Sequence, residues 1–209
     1  MTDDRRVWEA AYRRRGQLWS GAVPPLPALP EHARVLELGC GNGKTFDALL
    51  KNHWDTVALD FSETAVKTAR SHITHAQSGD GILADARFIP FRPASFDAIV
   101  TWHILGHMME RDRVHIASGL GCLLKPEGIL IFAEFSREDV RYNRGTLLEE
   151  GTFLKGTAIS THYFTGQEIL SLFQDLSCVS LRTHRWDLRV CGQSHTRSEI
   201  QAVFKKSPH

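Results

Sequence analysis

Apolar residues fall in short runs that alternate with amphipathic stretches through most of the chain. Arg34-Val-Leu-Glu-Leu38 reads as a strand, and a glycine-rich turn leads from it into a helix over 44–51. A second strand over 56–59 ends at Asp60, with Ser62 placed to cap a helix that reaches Arg70. Residues 81–84 form a short third strand ending at Asp85. Phe96-Asp-Ala-Ile-Val-Thr101 is a fourth, followed by a helix over 111–124. Lys125-Pro-Glu-Gly128 reads as a turn, and the nearly unbroken apolar run 129–135 as a fifth strand. Strands alternating with helices predict parallel pairing, with helices on both faces of the sheet.

The two ends differ from this rhythm. Residues 7–19 read as a helix closed by Gly21, and 22–30 hold four prolines and form an extended connector. Late in the chain a helix over 167–173 precedes two strands, 179–190 and 199–205, joined through Cys191-Gly192. With no helix between them, those strands pair antiparallel. The expectation is one α/β domain over 1–209: a seven-stranded mixed sheet whose last two strands are an antiparallel hairpin, with helices on both faces. Residues 136–164, 29 positions with three glycines and little periodicity, fit no element. Long irregular segments in compact domains are commonly binding loops, so this one is a candidate substrate lid.

Composition narrows the function classes. A formal net charge of +1 lacks the clustered basic excess of strong nucleic-acid binders, although a small basic patch would still serve an RNA substrate. The four cysteines form no C-x-x-C pair, so neither a cysteine metal clip nor a disulfide framework is indicated, and no metal is expected. The first residues lack the apolar region of a secretory signal, and no run approaches the ~20 apolar residues that span a bilayer. A cytoplasmic protein with no membrane partner is the expectation.

The sharpest chemistry lies in Val35-Leu-Glu-Leu-Gly39-Cys-Gly41-Asn-Gly43. Glycines directly after a strand permit positive φ and close approach of a ligand to the main chain. The acid at the end of the next strand, Asp60, stands where a pair of ribose hydroxyls would be held. A dinucleotide fold favours G-x-G-x-x-G, but Phe46 occupies the place where that motif wants glycine or alanine. Glu37 before the turn would repel a pyrophosphate and suits a cationic amino or sulfonium group.

Glu-x-Gly-Cys-Gly-Asn-Gly resembles the first motif of class I S-adenosylmethionine-dependent methyltransferases. Leu59-Asp60-Phe61-Ser62, Ala84-Asp85-Ala86, Ile89-Pro90-Phe91, Ser95-Phe96-Asp97 and Leu124-Lys-Pro-Glu-Gly128 resemble later motifs, so the likeness covers residues 33–135. It implies a Rossmann-like fold with S-adenosyl-L-methionine as cofactor and a cofactor-binding core at 33–135. By the same resemblance Gly39 and Gly41 line the methionine portion beside Glu37 and Cys40, and Asp60 holds the ribose. Phe61 packs on adenine, Asp85 accepts from its amino group beside Ala86, and Thr101 closes the site. Trp19, at the end of the first helix, would cover the cofactor as aromatic N-terminal segments do in small-molecule methyltransferases.

Acceptor chemistry is harder to read. His103 and His107 follow the fourth strand and are candidate bases, since histidine titrates near neutrality. The absence of Asn-Pro-Pro-Tyr or Asp-Pro-Pro-Tyr here argues against methylation of the adenine exocyclic amine or a glutamine amide. Arg141 and Arg144 have the chemistry to bind a carboxylate or phosphate, although a solvated face suits them as well. His162 and Tyr163 stand as a possible substrate wall, alongside the alternative that Tyr163 and Phe164 staple the following helix. A small-molecule acceptor is the first expectation. The second is tRNA of the wobble carboxymethyl-uridine type, or a protein, with a small activator subunit. A homodimer, a non-catalytic S-adenosylmethionine-binding protein and a dehydrogenase are the remaining readings.

Overall fold

The computed structural model of the chain describes residues 4–15, 23–75, 77–156 and 158–208. Helix α1 (Asp4–Arg15) is followed by β1 (Arg34–Leu38), α2 (Lys44–Leu50), β2 (Asp55–Asp60), α3 (Glu63–Arg70), β3 (Gly79–Leu83) and β4 (Phe96–Trp102). After a 3-10 turn at Leu105–His107 come α4 (Glu110–Leu123) and β5 (Leu124–Phe135). Three short strands follow, β6 (Thr146–Glu149), β7 (Thr152–Leu154) and β8 (Ser160–His162), then α5 (Gly166–Leu172), β9 (Ser177–Val190) and β10 (Gln193–Lys205).

The main sheet has seven strands in the order β3-β2-β1-β4-β5-β10-β9. Pairing is parallel from β3 to β5, while β10 runs antiparallel to both β5 and β9. This is the mixed Rossmann-like sheet with a hairpin edge that the apolar pattern predicts. Cys191 and Gly192, both at positive φ, make the hairpin turn. Two boundaries differ from expectation. Lys125-Pro-Glu-Gly128 is drawn into β5 rather than preceding it, and the break appears instead as positive φ at Glu127 and a register jump against Phe96 and Ala98. Strand β10 starts six residues before the expected 199, at Gln193, because its polar first half still pairs with β9.

Central strands of a parallel sheet bury both faces, and β1 shows it. Leu36 and Leu38 join Leu59, Ile99 and Phe132 under α4 and α5. Val35, pointing the other way, packs with Ala98, Val100, Ile131, Leu49 and Trp54, covered in part by Leu26 and Leu29 of the proline-rich connector. Each of these large side chains contributes roughly 1.5–3 kcal/mol when fully buried.

Residues 136–164, expected to lack regular structure, contain a second sheet of three antiparallel strands, β6-β7-β8. Strands of three or four residues are too short to show alternation, so distant partners hold them. Buried Arg113 of α4 donates to Glu149 Oε1 at 2.8 Å and to Met108 O at 2.7 Å. Phe164 N donates to Phe135 O at 2.8 Å, returning the chain to the main sheet. His107 also ties this sheet down: Ser160 O can only accept, so Nδ1 of His107 is the donor across their 2.7 Å contact.

Burial pushes the His107 pKa down to about 4 from the usual 6.5. A folded pKa below the unfolded one favours the neutral ring in the native state. Its contribution is therefore complete above pH 6.5 and is lost as pH falls toward 4. At ~1.4 kcal/mol per unit, reduced because the ring keeps some contact with solvent, His107 should account for about 2 kcal/mol of acid-induced loss of stability. Urea unfolding at pH 7 and pH 4.5 should show a shallower acid limb in His107→Gln than in the wild type. Equal slopes would remove His107 from that account.

Candidate functional site

The carboxyl ends of β1, β2 and β4 open onto a cleft of about 860 Å³. Its floor is the turn after β1, where Gly39, Gly41 and Gly43 lie at φ of 73°, 52° and 74°. A Cβ on Gly39 would stand 2.8 Å from Ile104 Cδ1, and one on Gly41 2.8 Å from the Tyr12 hydroxyl. Neither space nor dihedral admits a side chain there. Gly39 N and Cys40 N both donate to Leu59 O, at 2.7 and 3.1 Å, which folds the turn back over β2.

Asp60, buried at the end of β2, accepts from Gly41 N at 3.0 Å and from Ser62 N at 2.9 Å. Burial raises its pKa to about 6 despite those bonds. Glu37 is also buried, and burial together with the charge of Asp60 holds its carboxyl well above the usual range. Glu37 Oε2 is buried without a hydrogen-bond partner. An acceptor of this kind in the cleft floor fits a ligand that brings N–H donors, and an ammonium supplies them.

Most of the residues singled out in the sequence meet at this cleft. Glu37, Gly39, Cys40, Gly41, Asp60, Phe61, Asp85 and Ala86 all line it. Asp85 is engaged by its own neighbour, accepting from Arg87 Nη2 at 2.6 Å, with Arg87 also reaching Asp112. Thr101 is buried within β4 and is absent from the lining; its Oγ1 has no partner. Trp19 lies outside the described residues.

An aromatic contribution that the sequence reading missed comes earlier in the same N-terminal segment. Trp8 and Tyr12 of α1 line the cleft. Glu9 places them by accepting from Ser62 Oγ and Thr64 Oγ1, each at 2.6 Å. Burial would raise the Glu9 pKa, but these hydrogen bonds outweigh it and bring the carboxyl down to about 2. Trp and Glu at i and i+1 near a helix start carry no sequence signal for such a role.

The far half of the cleft is built from the ends of β4 and β5 and from the hairpin. His103, at φ 55°, stacks on Phe135 with ring centres 4.3 Å apart. Its Nε2 lies 3.2 Å from Glu199 Oε2, and its Nδ1 lies 3.9 Å from Glu134 Oε2. Glu134 accepts from Gly106 N at 2.8 Å, and burial raises its pKa to about 7. Burial also works to raise Glu199, but the hydrogen bond and charge of His103 prevail and hold it below the usual range. His184 and Trp186 of β9 stack at 5.4 Å and 22°, and Arg141, Arg182 and Arg197 complete the lining. His107 is also in the wall, with its ring edge against Trp8.

The three substrate residues expected from sequence are not brought to this cleft. Arg144 is exposed outside it. His162 is buried between Thr152 Oγ1 at 2.8 Å and Glu168 Oε1 at 2.7 Å, tying β8 to α5. Tyr163 is buried with Phe135 and Phe153, and its hydroxyl accepts from Lys155 Nζ. Both His162, at the end of β8, and Tyr163, just after it, are buried, and their hydrogen bonds hold the small sheet in place.

Residues 35–128 match the family described as a methyltransferase domain. The tRNA N(3)-cytidine methyltransferase METTL2 of Xenopus tropicalis is 27% identical over 161 residues, 71% of this chain and 48% of that protein. The tRNA N(3)-methylcytidine methyltransferase trm140 of Schizosaccharomyces pombe is 25% identical over 196 residues, 83% of this chain and 64% of that protein. The chain thus spans about half the length of curated relatives such as METTL2. Among solved structures, a Methanosarcina mazei S-adenosylmethionine-dependent methyltransferase superposes with a TM-score of 0.73 at 22% identity, covering 87% of this chain and 95% of its own. A chain from the complex of the Haloferax volcanii Trm112 methyltransferase activator with a methyltransferase gives 0.70 at 18% identity, with 99% and 92% coverage. No helix among the described residues is long and apolar enough to cross a membrane. The motif turn, the acid after β2 and the sheet order agree with the domain match: residues 35–128 carry a methyltransferase domain, set in the fold of S-adenosylmethionine-dependent methyltransferases.

Proposed function

We propose that this chain transfers a methyl group from S-adenosylmethionine to a nucleobase ring nitrogen in RNA, with tRNA as the substrate class. The observation that carries the reading is the stacked aromatic pair of His184 and Trp186 in the half of the cleft beyond the glycine turn. Stacking on aromatic side chains is how unpaired bases are held, and the curated relatives act on tRNA cytidine. This moves the acceptor from the small molecule expected first to the tRNA held as the alternative.

The donor half divides into roles. Glu37 accepts from the methionine ammonium, the backbone of Gly39–Gly41 runs along the methionine chain, and Asp60 takes the ribose hydroxyls. Phe61 and Ala86 flank the adenine, with Asp85 at its rim, and Trp8 and Tyr12 cover it. When bound, S-adenosylmethionine supplies a methyl group on a sulfonium, which leaves as a neutral thioether. Positioning is then most of the catalysis.

A neutral ring nitrogen that accepts a methyl cation becomes cationic and has no proton to lose at that atom. The chain therefore needs an anion near the acceptor more than it needs a base. Glu199, kept ionised by His103, stands in that half of the cleft and holds the new positive charge. His103 fixes the Glu199 carboxylate and forms part of the wall, with Phe135 behind it. From the stretch after β5, Arg141 contributes to the wall of the acceptor half. A small activator subunit, as in the Haloferax complex, is part of this reading; it would pair with an open edge of the sheet.

Asp60→Ala should weaken S-adenosylhomocysteine binding by about 1.5–3 kcal/mol, the range for hydrogen bonds to a charged group. Isothermal titration of the folded variant measures it, and unchanged affinity would take Asp60 out of the site. Methyl transfer to total tRNA should be abolished by ribonuclease and should yield a ring-methylated base on nucleoside mass spectrometry. Trp186→Ala should raise KM for tRNA by about 1–3 kcal/mol, one stacked base, and leave cofactor affinity unchanged. Activity on small heterocycles that survives ribonuclease, with none on tRNA, would overturn the RNA reading.

A further inference from the structure

We propose that Arg141 and Arg197 form a paired-guanidinium subsite that takes a phosphate of the acceptor at the rim of the cleft. The inference rests on the nucleotide reading of the acceptor above.

Asp139, on the stretch after β5, has a fully buried side chain and accepts from two arginines at once. Arg141 Nε lies 2.8 Å from its Oδ1 and Arg197 Nε lies 2.7 Å from its Oδ2. Burial would raise the Asp139 pKa, but these bonds outweigh it and keep the carboxyl ionised. One carboxylate thus holds both guanidinium groups by their inner nitrogens. Each keeps its outer nitrogens for another acceptor.

The planes are also fixed from behind. Arg141 Cζ sits 3.9 Å from the centre of the Phe135 ring, and Arg197 Cζ sits 5.0 Å from the same ring and 5.4 Å from Trp186. Both arginines line the cleft. Arg141 Nη2 is buried and has no hydrogen-bond partner, which is costly for a cationic donor. Two guanidinium ions against one carboxylate leave about one unit of positive charge.

Lys155 adds to that field. It donates to Arg141 O at 2.9 Å, and burial together with the charges of Arg141, Arg144 and Arg197 pushes its pKa down to about 8. A fixed, partly desolvated pair of forks matches the oxygens of a phosphate. Glu199, two residues from Arg197 on β10 and therefore on the same face of the strand, is the acid next along the cleft. Its negative charge disfavours an anion beside it and favours one against the guanidinium pair. Trp186 lies against Arg197, so a phosphate held there would sit beside a stacked base. The phosphate can belong to an RNA backbone or to a free nucleotide.

Three probes separate the possibilities: cytidine, cytidine 5′-monophosphate and tRNA, each titrated in the presence of S-adenosylhomocysteine. The wild type should bind the monophosphate at least about tenfold more tightly than the nucleoside, as one charge-assisted pair predicts. Inorganic phosphate should compete with the monophosphate and not with S-adenosylhomocysteine. Arg141→Gln and Arg197→Gln should each remove most of the monophosphate advantage and lower the slope of log K against log salt for tRNA by about 1. Their affinity for S-adenosylhomocysteine should stay at the wild-type value, which also reports that they fold.

If the advantage and the slope survive both substitutions, the subsite is wrong, even if tRNA proves to be methylated. If tRNA is never methylated but the monophosphate advantage depends on both arginines, the subsite stands and its phosphate comes from a free nucleotide. Should either glutamine variant fail to fold, phosphate competition in the wild type decides: no competition with the monophosphate overturns the proposal.

Discussion

A buried carboxylate that must be hydrogen-bonded governs the geometry of the cleft. Asp60 ends β2 at 6% exposure, and an ion there is tolerated only because backbone N–H groups meet it. Those groups come from Gly41, in the turn after β1, and from Ser62, at the start of α3. The two turns that face the cofactor are thus joined through one side chain. Ser62 then passes the constraint outward, its hydroxyl donating to Glu9 while it accepts from Ala65 N as the helix cap. The position of α1, and with it Trp8 and Tyr12, follows from the same acid.

The arrangement carries a cost that a ligand would relieve. Glu37 and Asp60 are buried within reach of each other's charge, and burial raises both. Hydroxyl and ammonium donors would stabilise the ionised forms, so binding energy is coupled to the order of the turn. Ligand binding to such a site stabilises the fold by mass action as well as by contact.

The half of the cleft built on the glycine turn was legible in the sequence because its elements are local. A strand, a glycine turn, a capped helix and an acid about 20 residues on form a continuous βαβ unit, and each part constrains the next. The parallel pairing and the terminal hairpin follow from the pattern of strands and helices along the chain. The acceptor half was not legible, because it joins residues that local pattern never relates. His103 just after β4, Glu134 on β5 and Glu199 on β10 come from three separate parts of the chain, and their association depends on β10 pairing with β5. The pair Arg141 and Arg144 shows the difficulty at its smallest: three residues apart, one stacks on Phe135 in the cleft and the other is exposed. His162 and Tyr163 misled for a related reason. Polar and aromatic residues in a glycine-containing stretch suggested a binding wall, but Thr152, Glu168 and Lys155 satisfy them inside the small sheet.

Net charge is silent on how charge is distributed over the faces. A total of +1 conceals strong local segregation, since attraction to a polyanion depends on the field at one face and not on the sum. Glu63–Lys67 and Asp47–Lys51 are exposed pairs on α3 and α2 that largely cancel where they stand. Arg141, Arg182, Arg197 and Lys155 gather instead at the acceptor end, with Asp139 buried beneath two of them. The same end carries Glu199 and Glu134 deeper in, held by His103 and Gly106. The cleft therefore runs from positive at its rim to negative at its interior. On the reading proposed above, that gradient would orient an acceptor that is anionic at one end and gains positive charge at the other. A uniformly basic groove would hold a phosphate equally well but would oppose the charge that methylation of a ring nitrogen creates, so an acid interior and a basic rim would work as one device.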